Sequence, residues 1–407
     1  MKKLYIFIFI ILFPLVYKAQ DTITVMAYNI LNYPLSNSTK ADTLKPIVLD
    51  IKPDIFLITE LTSGTGATTI LNDALNVNGI TYYQKANYMD GPDTDNMLFF
   101  NSNKLKLKSQ YEIPTVLRNI SEYVLYYDDG NLTPGTDTTF IHCYMAHLKA
   151  SNTPSDSIQR NQEATSFKNY LDNKAQPIEN IIMGGDFNLY TSTEAAYNTL
   201  LNGGSVALND PINTPGEWHN DFNYRFVHTQ STRTFIESDG GASGGLDDRF
   251  DFLLTGTDII NGTNHLEYIT GTYKAYGNDG NHYNKAINGT PTNTAVPANI
   301  ANALYYMSDH LPVVMKMYYE GPTGIEDLTD NNLWKGFYSN DYFKFVSTEN
   351  ENKLTVEVLD LVGKTVKKES VFNQKSFNLN LSEYTNGLYF VKVNNQKFQK
   401  TFRIVKY

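Results

Sequence analysis

The chain has 407 residues, a formal net charge of −10, 41% hydrophobic residues and 19% charged residues. These proportions are ordinary for a globular protein and exclude a disordered chain. A single cysteine excludes stabilisation by an internal disulfide pair, so core packing or bound ions must hold the fold together.

Residues 1–19 have the layout of a secretory signal peptide. Lysines precede an apolar stretch from Leu4 to Val16, and Ala19 stands at the expected cleavage point. The stretch is shorter than the ~18 apolar residues of a membrane helix, and no later segment reaches that length. We therefore predict export without a stable membrane span; a buried N-terminal strand is the alternative.

The part from 20 to 320 is predicted to contain short strands alternating with a few helices. The strands are rich in β-branched and aromatic residues and are expected at 22–31, 54–61, 97–102, 139–148, 179–187, 249–256 and 311–319. Helical spacing is found in 39–53 and 155–175. Near-continuous apolar strands mixed with helices indicate sheets that are covered by helices.

The helix expected at 155–175 has a predicted cap and a predicted buried face. Ser155 or Asp156 is expected to cap its first turn. The apolar face is expected to consist of four residues, namely Ile158, Ala164, Phe167 and Leu171.

Two stretches have no clear periodic pattern. Residues 237–248 are predicted to be a flexible glycine-rich loop. Residues 271–307 form a long insertion rich in Asn, Gly, Thr and Pro, of the kind that is usually functional or mobile. His282 within it is expected to be exposed.

The sequence changes in character near residue 321. A polar linker is predicted at 321–333, and alternating strand patterns with intervening turns predict a small β-sandwich at 334–407. This last segment is basic, whereas 20–333 is strongly acidic, which supports a domain boundary.

Polar residues stand at the ends of, or interrupt, the predicted apolar strands. They are Asn29, Glu60, His147, Asp186, Asn188, Asp251, Asp309 and His310. Each alone could be a turn or capping residue. Because a buried charge needs a partner, the whole set instead suggests a site at one rim of a sheet. Oxygen donors without clustered cysteines favour Mg²⁺, Mn²⁺ or Ca²⁺ over structural zinc, and histidines suit acid–base work near neutral pH.

The ordered motifs YN, E, HL, GDFN, RFDF and SDHLPV resemble those of the endonuclease/exonuclease/phosphatase superfamily over residues 20–320. GDFN and SDH-x-P are the most specific of them. The resemblance implies an α/β catalytic domain, a two-sheet β-sandwich flanked by helices like that of deoxyribonuclease I. It also implies dependence on Mg²⁺, with Mn²⁺ or Ca²⁺ as alternatives.

The resemblance also implies roles for the site residues. Asn29, Glu60 and Asp309 match metal-site positions, and Glu60 is the principal metal ligand. Asp186 and Asn188 match the pair that binds the scissile phosphate and orients the attacking water or the leaving oxygen.

The remaining matches concern proton transfer. His147 matches a histidine that protonates the leaving group, His310 the general base and Asp251 the carboxylate that orients it. Two departures are that Thr59 precedes Glu60 where many relatives have glutamine, and that RFD replaces the more frequent RID. No motif supplies a carboxylate partner for His147.

These expectations define a secreted metal-dependent phosphodiesterase, with an extracellular endonuclease that cleaves DNA as the first choice. The acidic charge of the domain opposes binding of a polyanion. A phospholipid or sphingomyelin phosphodiesterase, or a phosphatase, is the alternative, and a lipid substrate would require exposed aromatic residues at 111–127 or 271–307. A catalytically dead binding protein is an alternative of another class.

Weaker candidates for phosphate contact are Arg160, Asn96 and the glycine loop at 240–245. A surface salt bridge, strand capping and plain flexibility are their respective alternative explanations.

The tail at 334–407 resembles the C-terminal sorting domain of the type IX secretion system. Its strands, Gly-Lys turn, G-x-Y motif and final basic strand carry the likeness. The resemblance implies recognition by the secretion machinery and a secreted or surface-attached enzyme, expected to be a monomer.

Overall fold

The computed structural model describes residues 20–128, 138–174, 178–320, 334–339, 341–395 and 399–406. The predicted signal peptide and linker lie outside these residues. The chain divides into two compact units, one reaching residue 320 and the other containing 334–406. No helix within the described ranges has the length and hydropathy that a membrane-spanning helix needs.

The first unit contains thirteen strands and six α-helices among its described residues. The strands are β1 Gln20–Tyr33, β2 Ile55–Leu61, β3 Tyr83–Lys85, β4 Asp95–Asn101, β5 Leu105–Ile113, β6 Ile120–Tyr127, β7 Phe140–His147, β8 Ile181–Asp186, β9 Leu208–Asn209, β10 Asp251–Gly256, β11 Leu266–Tyr268, β12 Lys274–Ala275 and β13 Val313–Glu320. The helices are α1 Lys40–Ile51, α2 Gly64–Thr69, α3 Pro154–Asp172, α4 Ala195–Asn202, α5 Thr257–Asn261 and α6 Ala298–Met307. A π-helical turn, Ile70–Leu75, continues α2, and a short 3₁₀ helix covers Phe222–Tyr224.

The strands form two mixed sheets that pack face to face. The first sheet has the order β11-β13-β1-β2-β4-β3 with β12 on β13, and the second has the order β5-β6-β7-β8-β10-β9. The pairs β1/β2 and β7/β8 are parallel and the others are antiparallel. This arrangement confirms the predicted α/β sandwich flanked by helices.

Glycines in β8 allow the close approach of neighbouring strands. A Cβ atom on Gly184 would lie 3.1 Å from the Cβ atom of Ala27 in the facing sheet. Gly185 has a φ of +147°, and a Cβ atom there would lie 1.8 Å from the carbonyl oxygen of Ala146. The Gly-Gly pair therefore lets β8 run through the centre of the sandwich with every residue buried.

Helix α3 differs from its prediction in its cap and in its buried face. Thr153 caps it in a reciprocal capping box with Asp156. The prediction for Ile158 was wrong, because its side chain is 61% exposed. It lies six residues before Ala164, or about 240° around the helix, whereas Arg160 is at the four-residue spacing and is buried.

The insertion at 271–307 is ordered and ends in a helix. α6 buries Ile300, Leu304 and Met307 in the core of the sandwich. The expectation that His282 is exposed was wrong. Its Nδ1 lies 2.9 Å from Asp279 Oδ1 and its Nε2 lies 2.9 Å from the carbonyl oxygen of Pro291, so hydrogen bonds replace the solvent.

The second unit is all-β, as predicted. Its strands are β14 Trp334–Ser339, β15 Tyr342–Leu359, β16 Thr365–Asn380, β17 Gly387–Asn394 and β18 Gln399–Lys406. They are antiparallel, in the order β14-β15-β17-β18 with β16 on β15, around a core that includes Trp334, Phe345, Val356 and Val391.

Candidate active site

The strand register of the second sheet places three predicted site residues side by side. Asp186 ends β8 and pairs with His147 at the end of β7 and with Asp251 at the start of β10. The rest of each of these three strands is mostly apolar. The three polar groups therefore gather where the strands begin or end, at one edge of the sheet. The row His147–Asp186–Asp251 is thus a direct consequence of strand pairing.

The first sheet presents its polar residues at the same edge. Asn29 pairs with Thr59 in the parallel β1/β2 ladder, so Glu60 follows immediately. Asp309 and His310 directly precede β13, which runs antiparallel to β1. The two sheets therefore bring all eight predicted residues into one region.

The amide of Asn29 links the carboxylates of the two sheets. Its Nδ2 donates to Glu60 Oε1 at 2.8 Å and to Asp186 Oδ2 at 3.1 Å. Its Oδ1 accepts from the backbone N–H of Leu31, and the N–H of Asn32 donates to Glu60 Oε2. Asn29 is thus placed to orient the carboxylates, and it would bind a cation through Oδ1 only after its amide turned.

His147 lies between the same two carboxylates. Its Nε2 is 3.5 Å from Asp186 Oδ2 and its Nδ1 is 3.7 Å from Glu60 Oε1, beyond the normal hydrogen-bond length. Its Nδ1 has no hydrogen-bond partner within the described residues. Burial lowers its pKa well below the usual value, helped by the charges of Arg118 and His310.

His310 and Asp251 form a tight buried pair. The Nδ1 atom of His310 lies 2.7 Å from Asp251 Oδ2, and its Nε2 lies 3.6 Å from Asp186 Oδ2. Burial opposes the imidazolium charge, but Asp251, Asp186 and Asp309 outweigh it and raise the pKa of His310 well above its usual value. The pairing fixes the ring orientation that a general base needs.

Glu60 and Asp186 indicate where a cation would fit. Burial, together with neighbouring carboxylates, raises the pKa of both groups, and that of Asp186 reaches about 7. Glu60, His147 and Asp186 offer ligand atoms within 4.8 Å of one another, as do Asp186, Asp251 and His310. Hard carboxylate oxygens gathered in this way suit a divalent cation such as Mg²⁺.

Asp309 is held by the glycine-rich loop. The N–H of Ala242 donates to its Oδ2 at 2.6 Å, and Gln230 Nε2 lies 3.2 Å from the same oxygen. Its Oδ1 is buried and has no hydrogen-bond partner among the described residues, which leaves one oxygen for a cation. The 240–245 loop thus supports a carboxylate of the site.

Gln230 is a site residue that the sequence did not reveal. Its amide nitrogen lies 2.6 Å from His310 Nε2 as well as near Asp309. The residue sits in an irregular segment, so neither a strand end nor a motif marks it. Strand pairing could not have predicted its position, because Gln230 belongs to no strand and pairs with His310 only through an isolated bridge.

The backbone turns sharply around the site. Asn188 has a φ of 50° and Glu60 a φ of 61°, in the left-handed region that side chains seldom adopt. Asn188 is anchored by its N–H to Asp186 Oδ1 and by its Nδ2 to the carbonyl oxygen of Leu148. These contacts hold the ends of β7 and β8 together.

Two weaker candidates prove to have structural contacts. Arg160 is fully buried, binds Glu194 at 2.7 Å and donates to backbone carbonyl groups, rather than forming a surface salt bridge. Asn96 directs its Nδ2 to acceptors on Asn119, Ser121 and Met145. Both side chains join elements beside the site.

Comparison with known proteins agrees with this geometry. Residues 26–310 match the model of the Endonuclease/Exonuclease/phosphatase family, and residues 339–407 match that of the secretion system C-terminal sorting domain. A search of curated proteins finds no match.

Solved structures with a similar fold share little sequence with this chain. TDP2 from Danio rerio, complexed with a single-strand DNA product, is 13% identical over 73% of this chain and 98% of its own, with a TM-score of 0.47. ANGEL2, described as a 2′,3′-cyclic phosphatase, is 13% identical over 74% and 96%, with a TM-score of 0.44. An endonuclease/exonuclease/phosphatase from Beutenbergia cavernae is 11% identical over 94% and 100%, with a TM-score of 0.42.

The two packed sheets and the family match together define the class of protein, a phosphoester hydrolase. The chain belongs to the endonuclease/exonuclease/phosphatase family, whose members typically depend on a divalent metal. Its tail is a type IX sorting domain, which makes the protein secreted or attached to the cell surface.

Proposed function

We propose that this enzyme is a secreted, Mg²⁺-dependent phosphodiesterase that hydrolyses its substrate by in-line attack of water. The observation that carries the proposal is the row of His147, Asp186 and Asp251 across β7, β8 and β10, with His310 bound to Asp251. It provides one histidine on each side of a buried carboxylate, which suits a reaction that removes one proton and delivers another.

His310 acts on the attacking water. Asp251 accepts from its Nδ1, so Nε2 is the atom that takes the proton from water when the ring is neutral. A bound cation would favour the neutral ring, because it would offset the charges of the carboxylates that raise the pKa of His310. The amide of Gln230 lies against the same Nε2 and limits rotation of the ring. Positioned proton transfer of this kind contributes about 10²–10⁴-fold to a rate.

The opposite side of the site serves the leaving group. His147 lies on the other side of Asp186 from the His310–Asp251 pair, next to Glu60, where it can protonate the departing oxygen. Asp186 and Asn188 orient the phosphate group between the two histidines. Glu60 and Asp309, with Asn29 after a turn of its amide, would hold a divalent cation. When bound, this ion would neutralise the carboxylates and the charge that develops on the phosphoryl oxygens.

We propose DNA as the first substrate, since a secreted phosphodiesterase can release nucleotides from extracellular DNA. The strongly acidic domain works against this choice at long range, although local charge at the site can differ from net charge.

A lipid phosphodiester is the second candidate, because exposed apolar side chains stand on two loops that Lys40 connects. Leu35, Phe235 and Ile236 are 82%, 74% and 69% exposed. Lys40 joins their two loops, since it binds Asp239 at 2.7 Å and also contacts the backbone of Leu31. Exposed apolar residues suit a lipid surface better than a polyanion.

The test is a substrate panel with the purified full chain. Plasmid DNA, sphingomyelin vesicles and bis-p-nitrophenyl phosphate are assayed with Mg²⁺, Mn²⁺ or excess chelator. We expect cleavage of DNA and of the small diester, and its loss with chelator. Cleavage of lipid alone would replace the nuclease assignment by the second candidate. A folded protein inactive on the whole panel would refute the proposed function.

A further inference from the structure

Arg118 lies beside the leaving-group side of the proposed site. It belongs to the loop between β5 and β6, one residue before Asn119. Ser121 pairs with Met145 in the antiparallel β6/β7 ladder, so continuing that register places Asn119 at the level of His147. The loop therefore approaches the same end of β7.

The backbone of this loop is fixed. Asn96 donates to the carbonyl oxygen of Asn119 and to that of Met145, both at 3.0 Å. The hydroxyl of Thr115 donates to the carbonyl oxygen of Arg118 across the turn. Arg118 is thus presented from a defined position.

The guanidinium of Arg118 has donors left over. Its side chain is only 14% exposed, and its Nε and Nη1 are buried without a hydrogen-bond partner among the described residues. Asp93 lies 2.9 Å from Nε, but the N–H is not directed at the carboxylate, and Asp93 is itself 43% exposed. Such a pair stabilises little, whereas unpaired buried donors are costly.

The positive charge of Arg118 also acts on two residues of the site. Burial dominates the pKa shifts of Glu60 and His147, and the positive charge of Arg118 contributes a lowering to each. A cation beside two groups assigned to the leaving-group side is well placed for a substrate anion. Because a guanidinium matches phosphate oxygens with parallel N–H donors, phosphate is the complementary ligand.

We propose that Arg118 binds a phosphate oxygen of the substrate on the His147 side and so determines how tightly the phosphodiester is held. This role rests on the proposed function and adds a binding residue to it. Arg118 binds the ester and takes no part in proton transfer.

The experiment uses Arg118→Met, which keeps length without charge, and Arg118→Lys, which keeps charge without the fork. Arg225→Met is the matched control, since Arg225 stacks on Phe222 and Phe226 in a different loop. Steady-state kinetics on bis-p-nitrophenyl phosphate are paired with binding of inorganic phosphate, measured as a shift in Tm.

We expect Arg118→Met to raise KM and to weaken phosphate binding about 10- to 100-fold, with a smaller change in kcat. Arg118→Lys should recover part of the loss and Arg225→Met should behave like wild type. Asp93→Asn separates binding from structure: it should keep wild-type KM, whereas equal defects in Asp93→Asn and Arg118→Met would show that the pair merely holds the loop.

The outcomes distinguish this inference from the proposed function. An active wild type whose Arg118→Met variant has normal KM and phosphate binding would overturn the role of Arg118 alone. A wild type that binds phosphate through Arg118 but hydrolyses no ester would support the binding role and refute the phosphodiesterase. Should Arg118→Met fail to fold, the KM of Arg118→Gln, which keeps a polar side chain without the charge, decides, and a wild-type value there would overturn the proposal.

Discussion

Replacing Asp251 by asparagine separates the orienting carboxylate from the rest of the site. The change keeps the shape of the side chain but removes the charge that lies 2.7 Å from His310 Nδ1. An amide can still accept from Nδ1, or donate to it and favour the wrong tautomer. We therefore expect kcat to fall about 10²–10⁴-fold, which corresponds to about 3–5.5 kcal/mol of lost transition-state stabilisation.

The effect of Asp251→Asn on stability should be smaller. A hydrogen bond to a charged group contributes about 1.5–3 kcal/mol, and part of it survives in the amide. In a domain of this size that loss lowers Tm by roughly 2–4 °C per kcal/mol. The assay is kcat on the best substrate together with a thermal melt. A kcat within threefold of wild type would show that Asp251 does not orient the base, and a collapse of Tm would reveal a structural role.

Two further predictions concern the rest of the chain. Burial raises the pKa of Glu122, but the nearby side chains of His142 and Lys174 and a hydrogen bond from Tyr144 lower it to about 2. The contribution of Glu122 to stability is therefore complete above pH 4.5 and is lost as the pH falls towards 2. Glu122→Gln should cost about 2 kcal/mol in urea unfolding at pH 7, after allowance for solvent screening, and progressively less below pH 4.5; a constant difference would contradict this explanation. Removal of 334–407 should leave the enzyme inside the cell envelope, as immunoblots of culture medium against cell fractions would show, and normal export would refute the sorting role.

The positions of the site residues could be read from local patterns. Asp186 follows an apolar run and two glycines, and Asp309 with His310 opens an apolar strand. A buried strand that ends in a charged group implies that something satisfies the charge, whatever the sheet order. For this reason the α/β class and the all-β tail were predictable, and the eight residues could be selected as a candidate site.

The burial of other residues could not be predicted from the sequence, because it depends on which residues pack against them. His282 lies in a stretch of polar and turn-forming residues, yet Asp279 and backbone carbonyls remove it from solvent. Ile158 has an apolar side chain that faces outwards, while the charged Arg160 takes the buried position. Hydrogen bonds to Asp279 and Pro291 for His282, and to Glu194 for Arg160, outweighed the hydropathy of these residues.

The amino-acid sequence by itself determined which groups must be satisfied and on which elements they stand, because strand period and apolar runs are local properties. Only the tertiary structure decided which groups meet: the ladder register set His147 and Asp251 on either side of Asp186. It also brought Gln230 to His310 from an irregular segment, and it placed the loop that carries Arg118 at the end of β7. Their positions follow from packing between distant parts of the chain, which no periodicity records.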